Sequence, residues 1–430
     1  MTGKLKLLAA LCLGSMLLCY TAFAQGENLP GARSEGEAEI TLDELLRTAA
    51  ENSPVIKSAE QAAAASRALV PAASALPDPT VTFENMGKII PPQLMPGDPS
   101  SARTYGVEQE IPFPGKRGLK GSMASAEAEG QQWNQHLVYR QTMSELKQAY
   151  FDLYLVRKSI DILLKNKELL QSFVRIAESR YQVGQTTQQD VLKAQVEVSK
   201  ILDRLLSLGE KKRIAEAKVN NLLFRPSGTP VGRPAEITKS ELTYSIEDFV
   251  QLALSGSPAL KAQESEITRR QYGVELAQKG YYPDFAVGFT YYDRDANPEM
   301  YRLMVSAKVP LYFWTKQRPE LESARLNLSS ARSSRDGASS ALQFQVKEAY
   351  TQATTAEKLM QLYSSAIVPQ ANLALNSAVA NYQVGKIDFL QLTDSATSLL
   401  EYEIKYYESV VAFQKALAQL EPLTGVDLVH

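Results

Sequence analysis

The chain runs to 430 residues, 44% of them hydrophobic and 22% charged, which is enough apolar material for a substantial core. Its 46 basic and 48 acidic residues nearly cancel, without the basic excess of a nucleic-acid binder, so no nucleic-acid partner is expected. Cys12 and Cys19 are the only cysteines and His136 and His430 the only histidines, which excludes a disulfide framework and a Cys/His metal centre, and no cofactor is expected.

Residues 1–24 read as a secretory signal: Lys4 and Lys6, the apolar stretch from Leu7 to Leu18, then Ala22-Phe23-Ala24 at the cleavage site. Both cysteines fall inside it. Leu11 and Leu18 stand where a lipid-attachment signal wants a small residue, so no lipid anchor is expected. Beyond the signal, no apolar run reaches the roughly 18 residues of a transmembrane helix. An exported chain of this kind is periplasmic, secreted, or a β-barrel of an outer membrane.

After a polar leader (25–41) the text is written twice, as a first unit over 42–228 and a second over 246–425. A linker (229–245) joins them and a short tail (426–430) follows. Asn52-Ser53-Pro54 answers Gly256-Ser257-Pro258, and Glu110-Ile111-Pro112-Phe113 answers Lys308-Val309-Pro310-Leu311. Lys147-Gln148-Ala149-Tyr150 answers Lys347-Glu348-Ala349-Tyr350, and Tyr181-Gln182-Val183-Gly184 answers Tyr382-Gln383-Val384-Gly385. A repeated unit that cannot bury its own apolar face packs against its copy, so two halves of one body are expected.

Leu42 to Ala75 predicts one alanine-rich helix, stopped by Pro77-Asp78-Pro79. Period-two alternation then predicts strands at about 80–88 and 102–111, around a loop with four prolines. From Lys116 to Arg180 there is no proline, and a helix of that length spans roughly 95 Å. A return helix follows from about Gln188 to Phe224. The second unit repeats the plan: a first helix, strands at about 284–292 and 301–310, a long helix from Lys316 to Asn381 kinked at Pro369, and a return helix from Phe389 to Leu423. Each strand has one apolar and one polar side. That suits a tilted strand of a membrane barrel, and equally a soluble sandwich.

The rods weigh toward the barrel, being far longer than a globular domain is wide. Four strands cannot stand alone in a bilayer, because an open edge leaves amides and carbonyls unsatisfied in hydrocarbon. Two copies would make a barrel filled by its own side chains. Three copies make a twelve-stranded barrel with a lumen, and cyclic symmetry closes the ring.

With these motifs in order, the chain resembles the TolC-like outer-membrane efflux proteins over nearly all of its mature length. Ile111-Pro112-Phe113-Pro114-Gly115-Lys116-Arg117, Val309-Pro310-Leu311-Tyr312-Phe313-Trp314 and Val384-Gly385-Lys386-Ile387-Asp388-Phe389-Leu390 resemble the subgroup found beside heavy-metal resistance–nodulation–division pumps. The resemblance implies a mainly α fold with a β-barrel part. It implies an internally duplicated homotrimer whose twelve-strand outer-membrane β-barrel continues into a long periplasmic α-helical barrel. It also implies a passive duct and no enzyme, seated in outer-membrane lipid and working with a periplasmic adaptor protein and an inner-membrane pump.

The resemblance further implies a gate at the hairpin turns. Tyr382 and Asp190 match the family's latch. Its basic position is Ile387 here, with Lys386 beside it as substitute. Asp394 matches one of two constricting aspartates, and Gln391 replaces the other. Three Asp394 carboxylates at one level would favour cations. Gly184 and Gly385 are the turn residues, and adaptor contact at these tips is implied as well. Plainer roles remain open: Asp190 and Asp388 as helix caps, Asp394 as a solvated charge, the glycines as turn formers alone.

Met86, Met95, Met300 and Met304 lie on or beside the strand loops, as packing residues or as soft ligands for monovalent copper. The tyrosines near the strand ends fit an interfacial girdle or a core. The rival function is a periplasmic coiled-coil adaptor or scaffold. A further alternative is the same duct serving organic toxins or protein export.

Overall fold

The computed structural model describes residues 39–237, 242, 244–294 and 297–429. The signal, most of the leader, part of the linker and His430 lie outside the described residues. The element order is β1 (Glu39–Ile40), α1 (Leu42–Asn52), α2 (Pro54–Ser74), β2 (Thr80–Met86), β3 (Ala102–Ile111), α3 (Lys116–Gln182) and α4 (Gln188–Leu222). It continues with β4 (Arg233–Pro234), α5 (Ile246–Gly256), α6 (Pro258–Lys279), β5 (Asp284–Asp293) and β6 (Met300–Lys308). Last come α7 (Gln317–Leu362), a π-helical turn (Tyr363–Ile367), α8 (Val368–Gln383) and α9 (Phe389–Thr424).

The two units begin alike for local reasons. Thr41 and Ser245 cap α1 and α5 in reciprocal capping boxes with Glu44 and Asp248. Each short helix ends two residues before a proline that opens the next, with one serine between them. The single helix expected over 42–75 is therefore two. Ser53 takes an extended backbone (ψ 115°), because Pro54 crowds the helical conformation of the residue before it. The Ser53 hydroxyl then accepts from the Ile56 N–H at 3.3 Å.

Toward the sheet, α3 packs between α2 and α6; toward the turns it packs between α4 and α9. One core gathers Leu146, Leu153, Val219, Phe249, Val346, Ala353, Phe413 and Leu417 where the short helices α1 and α5 meet the rods. A second core, nearer the turns, holds Leu163, Phe173, Ala194, Leu392, Ala396 and Leu400. Each of the leucine, valine and phenylalanine side chains contributes about 1.5–3 kcal/mol by leaving water. In the second rod the π-helical turn ends two residues before Pro369, where the ring removes a helix donor and the backbone widens to accommodate it.

The four long strands form one antiparallel sheet in the order β2-β3-β5-β6. Register puts Phe83, Tyr105, Tyr291 and Tyr301 in one row and Val81, Val107, Phe289 and Leu303 in the next of the same face. The opposite face carries Thr82, Gly106, Thr290 and Arg302, then Thr80, Glu108, Gly288 and Met304. The apolar side chains are open to the surroundings, with Val81 78% and Leu303 69% exposed. Among the described residues the outer edges of β2 and β6 have no strand partner. Also among the described residues, no helix is long and apolar enough to cross a membrane.

Candidate functional site at the hairpin tips

Both rods turn back through the same backbone device. After α3, the Gly184 N–H donates to Tyr181 O at 3.0 Å and the Gln185 N–H to Arg180 O at 2.9 Å. After α8, the Gly385 N–H donates to Tyr382 O at 3.0 Å and the Lys386 N–H to Asn381 O at 2.9 Å. These paired bonds satisfy the last helical carbonyls, and they need a left-handed residue between them. Gly184 (φ +73°) and Gly385 (φ +76°) supply it without a Cβ clash.

The side chains of the two tips differ. Tyr181 is 48% exposed, whereas Tyr382 is 2% exposed. The Tyr382 ring meets Phe389 edge-on, with centroids 5.8 Å apart, and the Arg180 guanidinium lies 4.9 Å from its centroid. Arg180 Nη1 also donates to the Tyr382 carbonyl oxygen. Asp190, in the first turn of α4, accepts a hydrogen bond from the Thr186 hydroxyl. Burial pushes the Tyr382 phenol above its ordinary value; the Asp190 carboxylate adds to this, while Arg180 and Thr186 draw it down. Thr186 directs its proton to Asp190, and the buried Tyr382 hydroxyl has no well-formed hydrogen bond.

Tyr382 and Asp190 are thus brought within electrostatic reach. Lys386 is exposed, and Asp394 stands exposed on α9; neither has an ion pair among the described residues. Asp388 caps α9, its Oδ1 accepting from the Gln391 N–H at 2.8 Å. The residue that sequence reasoning passed over is Arg180. Aligning the paired tyrosines would have flagged it, since Asn381 stands at that place in the second unit. Among the described residues no group of three or more His, Cys, Asp or Glu side chains could hold a metal ion.

A family model described as outer membrane efflux protein matches the chain twice, over residues 45–223 and 249–426. The chain belongs to that family. This efflux protein is 21% identical over 336 residues to the cobalt-zinc-cadmium resistance protein CzcC of Cupriavidus metallidurans, covering 76% of this chain and 78% of that one. It is also 21% identical to the outer membrane efflux protein BepC of Brucella suis, over 66% of this chain and 64% of the other. Among solved structures, the outer-membrane channel OprN superposes with a TM-score of 0.77 at 17% identity, over 89% of each chain. VceC of Vibrio cholerae gives 0.77 at 17%, over 90% of this chain and 96% of that one, and CusC gives 0.76 at 14%, over 89% and 91%. The efflux protein is accordingly an outer-membrane channel that extends into the periplasm, and a passive duct, not an enzyme.

Proposed function

We propose that three copies of this efflux protein close a twelve-stranded barrel continued by a helical tube. We further propose that the tube is the exit duct of a tripartite pump, fed by an inner-membrane resistance–nodulation–division pump through a periplasmic adaptor. The observation that carries this reading is the four-stranded sheet, apolar on one face, polar on the other and unpaired at both edges. Such a sheet is stable in a bilayer only when closed, with its polar face toward a wet lumen. Cations, and metal ions first among them, are the proposed cargo. Support comes from the Asp394 carboxylate and from the relative named for cobalt, zinc and cadmium resistance.

At the tips, Asp190, Thr186 and Tyr382 form the closed contact, with Lys386 exposed beside it. Gly184 and Gly385 shape the surfaces offered to the adaptor. Replacing Asp190 by Ala together with Tyr382 by Phe raises single-channel conductance in planar bilayers, and Asp394→Ala lowers cation selectivity. Unchanged conductance and selectivity would remove these residues from the gate. A strain lacking the gene becomes sensitive to cobalt, zinc and cadmium; sensitivity confined to dyes and bile salts would transfer the cargo to organic compounds.

A further inference from the structure

The two tips share backbone geometry yet differ in what covers them, and a single side chain accounts for the difference. Arg180 reaches from the end of α3 in the first unit to the end of α8 in the second, and Tyr382 O receives its Nη1 proton. That carbonyl belongs to the last turn of α8, where helix dipoles leave a partial negative charge that a cation stabilises. The guanidinium face also covers the Tyr382 ring at 4.9 Å, adding a cation–π contact. Nη2 lies 3.1 Å from the position that a Cβ on Gly385 would occupy, so the fork rests directly on the turn. Backbone end, ring and turn are thereby held by one planar group. Lysine cannot reproduce this, because its ammonium is a point charge without a flat face.

We propose that Arg180 is the positioning residue that staples the second hairpin tip to the first, keeping Tyr382 beside Asp190. The proposal rests on the gate reading above and supplies its missing basic partner. The tip cannot swing away from α3 until the Arg180 contacts break. The staple lies within one chain and is complete without a neighbouring copy. Asn381, the matching residue of the second unit, is too short to return the favour, which leaves Tyr181 in the open.

The test uses the full-length oligomer and two readouts: amide hydrogen exchange of peptides covering residues 378–388, and single-channel conductance in planar bilayers. Losing a hydrogen bond from a charged donor shifts an equilibrium by about tenfold or more. R180A and R180Q are expected to speed tip exchange and raise the open fraction by about that factor. R180K restores only part of the protection. Unaltered exchange in R180A and R180Q, or full rescue by R180K, overturns the staple. If the Asp190 and Tyr382 double variant opens the channel while R180A changes neither readout, the staple falls and the gate stands. If R180A speeds exchange while neither it nor the double variant changes conductance, the staple stands and the gate falls.

Discussion

The first hairpin, α3 with α4, and the second, α7 and α8 with α9, are written in nearly the same letters at their turns. They reach the same left-handed glycine and the same paired hydrogen bonds. Yet one tyrosine is exposed and the other buried, and one rod is continuous where its copy is broken by a π-helical turn. Turn geometry is settled by a few adjacent residues. Burial is settled by what arrives from elsewhere in the chain. The lysines at Lys147 and Lys347 repeat the lesson: both begin a Lys-x-Ala-Tyr motif, but only one is enclosed.

That lysine pair offers the largest contrast. Lys147 Nζ lies 2.8 Å from both carboxylate oxygens of Glu421 and 3.0 Å from Val429 O, and both side chains are about 5% exposed. The same carboxylate accepts from the Leu428 and Val429 N–H groups at 2.8 Å, clasping the C-terminal tail to α9. Lys147→Ala leaves Glu421 buried without its cation, at a cost of about 3–5 kcal/mol. Lys347 is exposed, and Lys347→Ala stays within about 0.5 kcal/mol. Thermal unfolding of the purified protein checks both variants. Equal losses would break the contrast.

The two turn glycines give a smaller, sharper comparison. Gly184→Ala and Gly385→Ala each force a Cβ into left-handed backbone, at about 1–2 kcal/mol. Nothing stands near a Cβ at Gly184, whereas Arg180 crowds one at Gly385. Gly385→Ala is therefore the more destabilising, and the excess disappears when Arg180 is also replaced by alanine. An excess that persists without Arg180 would place its origin in the turn itself. Thermal scans of these three variants, with Arg180→Ala alone as reference, read this directly.

How much was visible beforehand follows the same division. Strands β5 and β6 were legible because alternation is a local signal, and the sheet needs no buried partner to keep it. The turns were legible because glycine at the end of a proline-free rod has few other uses. The break at Ser53 was equally local, but the alanine run after it masked the effect of Pro54. Arg180 was hidden for a different reason. Its acceptor lies 202 positions away and is a backbone carbonyl, which has no letter of its own. Membership of the efflux family could be read from the ordered motifs, whereas the contact that buries Tyr382 joins residues that only the fold brings together.

The subtlest contrast lies midway along the return helices. Counting from the paired tyrosines, Glu403 of α9 stands where α4 has Leu202. Burial raises the Glu403 carboxyl above its usual range, and the Lys165 ammonium only partly offsets this. The folded chain then holds that proton more tightly than the unfolded chain does. Stability from the protonated form is complete below the ordinary glutamate value near ~4.3, and it is lost as pH rises through the higher folded value. At neutral pH the ionised carboxylate is a burden, which Glu403→Gln removes while keeping shape. The variant should unfold at a higher temperature than the parent at pH 7, with the gap narrowing as the pH falls toward 4. A gap independent of pH would show that packing, and not ionisation, separates the two, and the second hairpin would then tolerate its acid as easily as the first accommodates leucine.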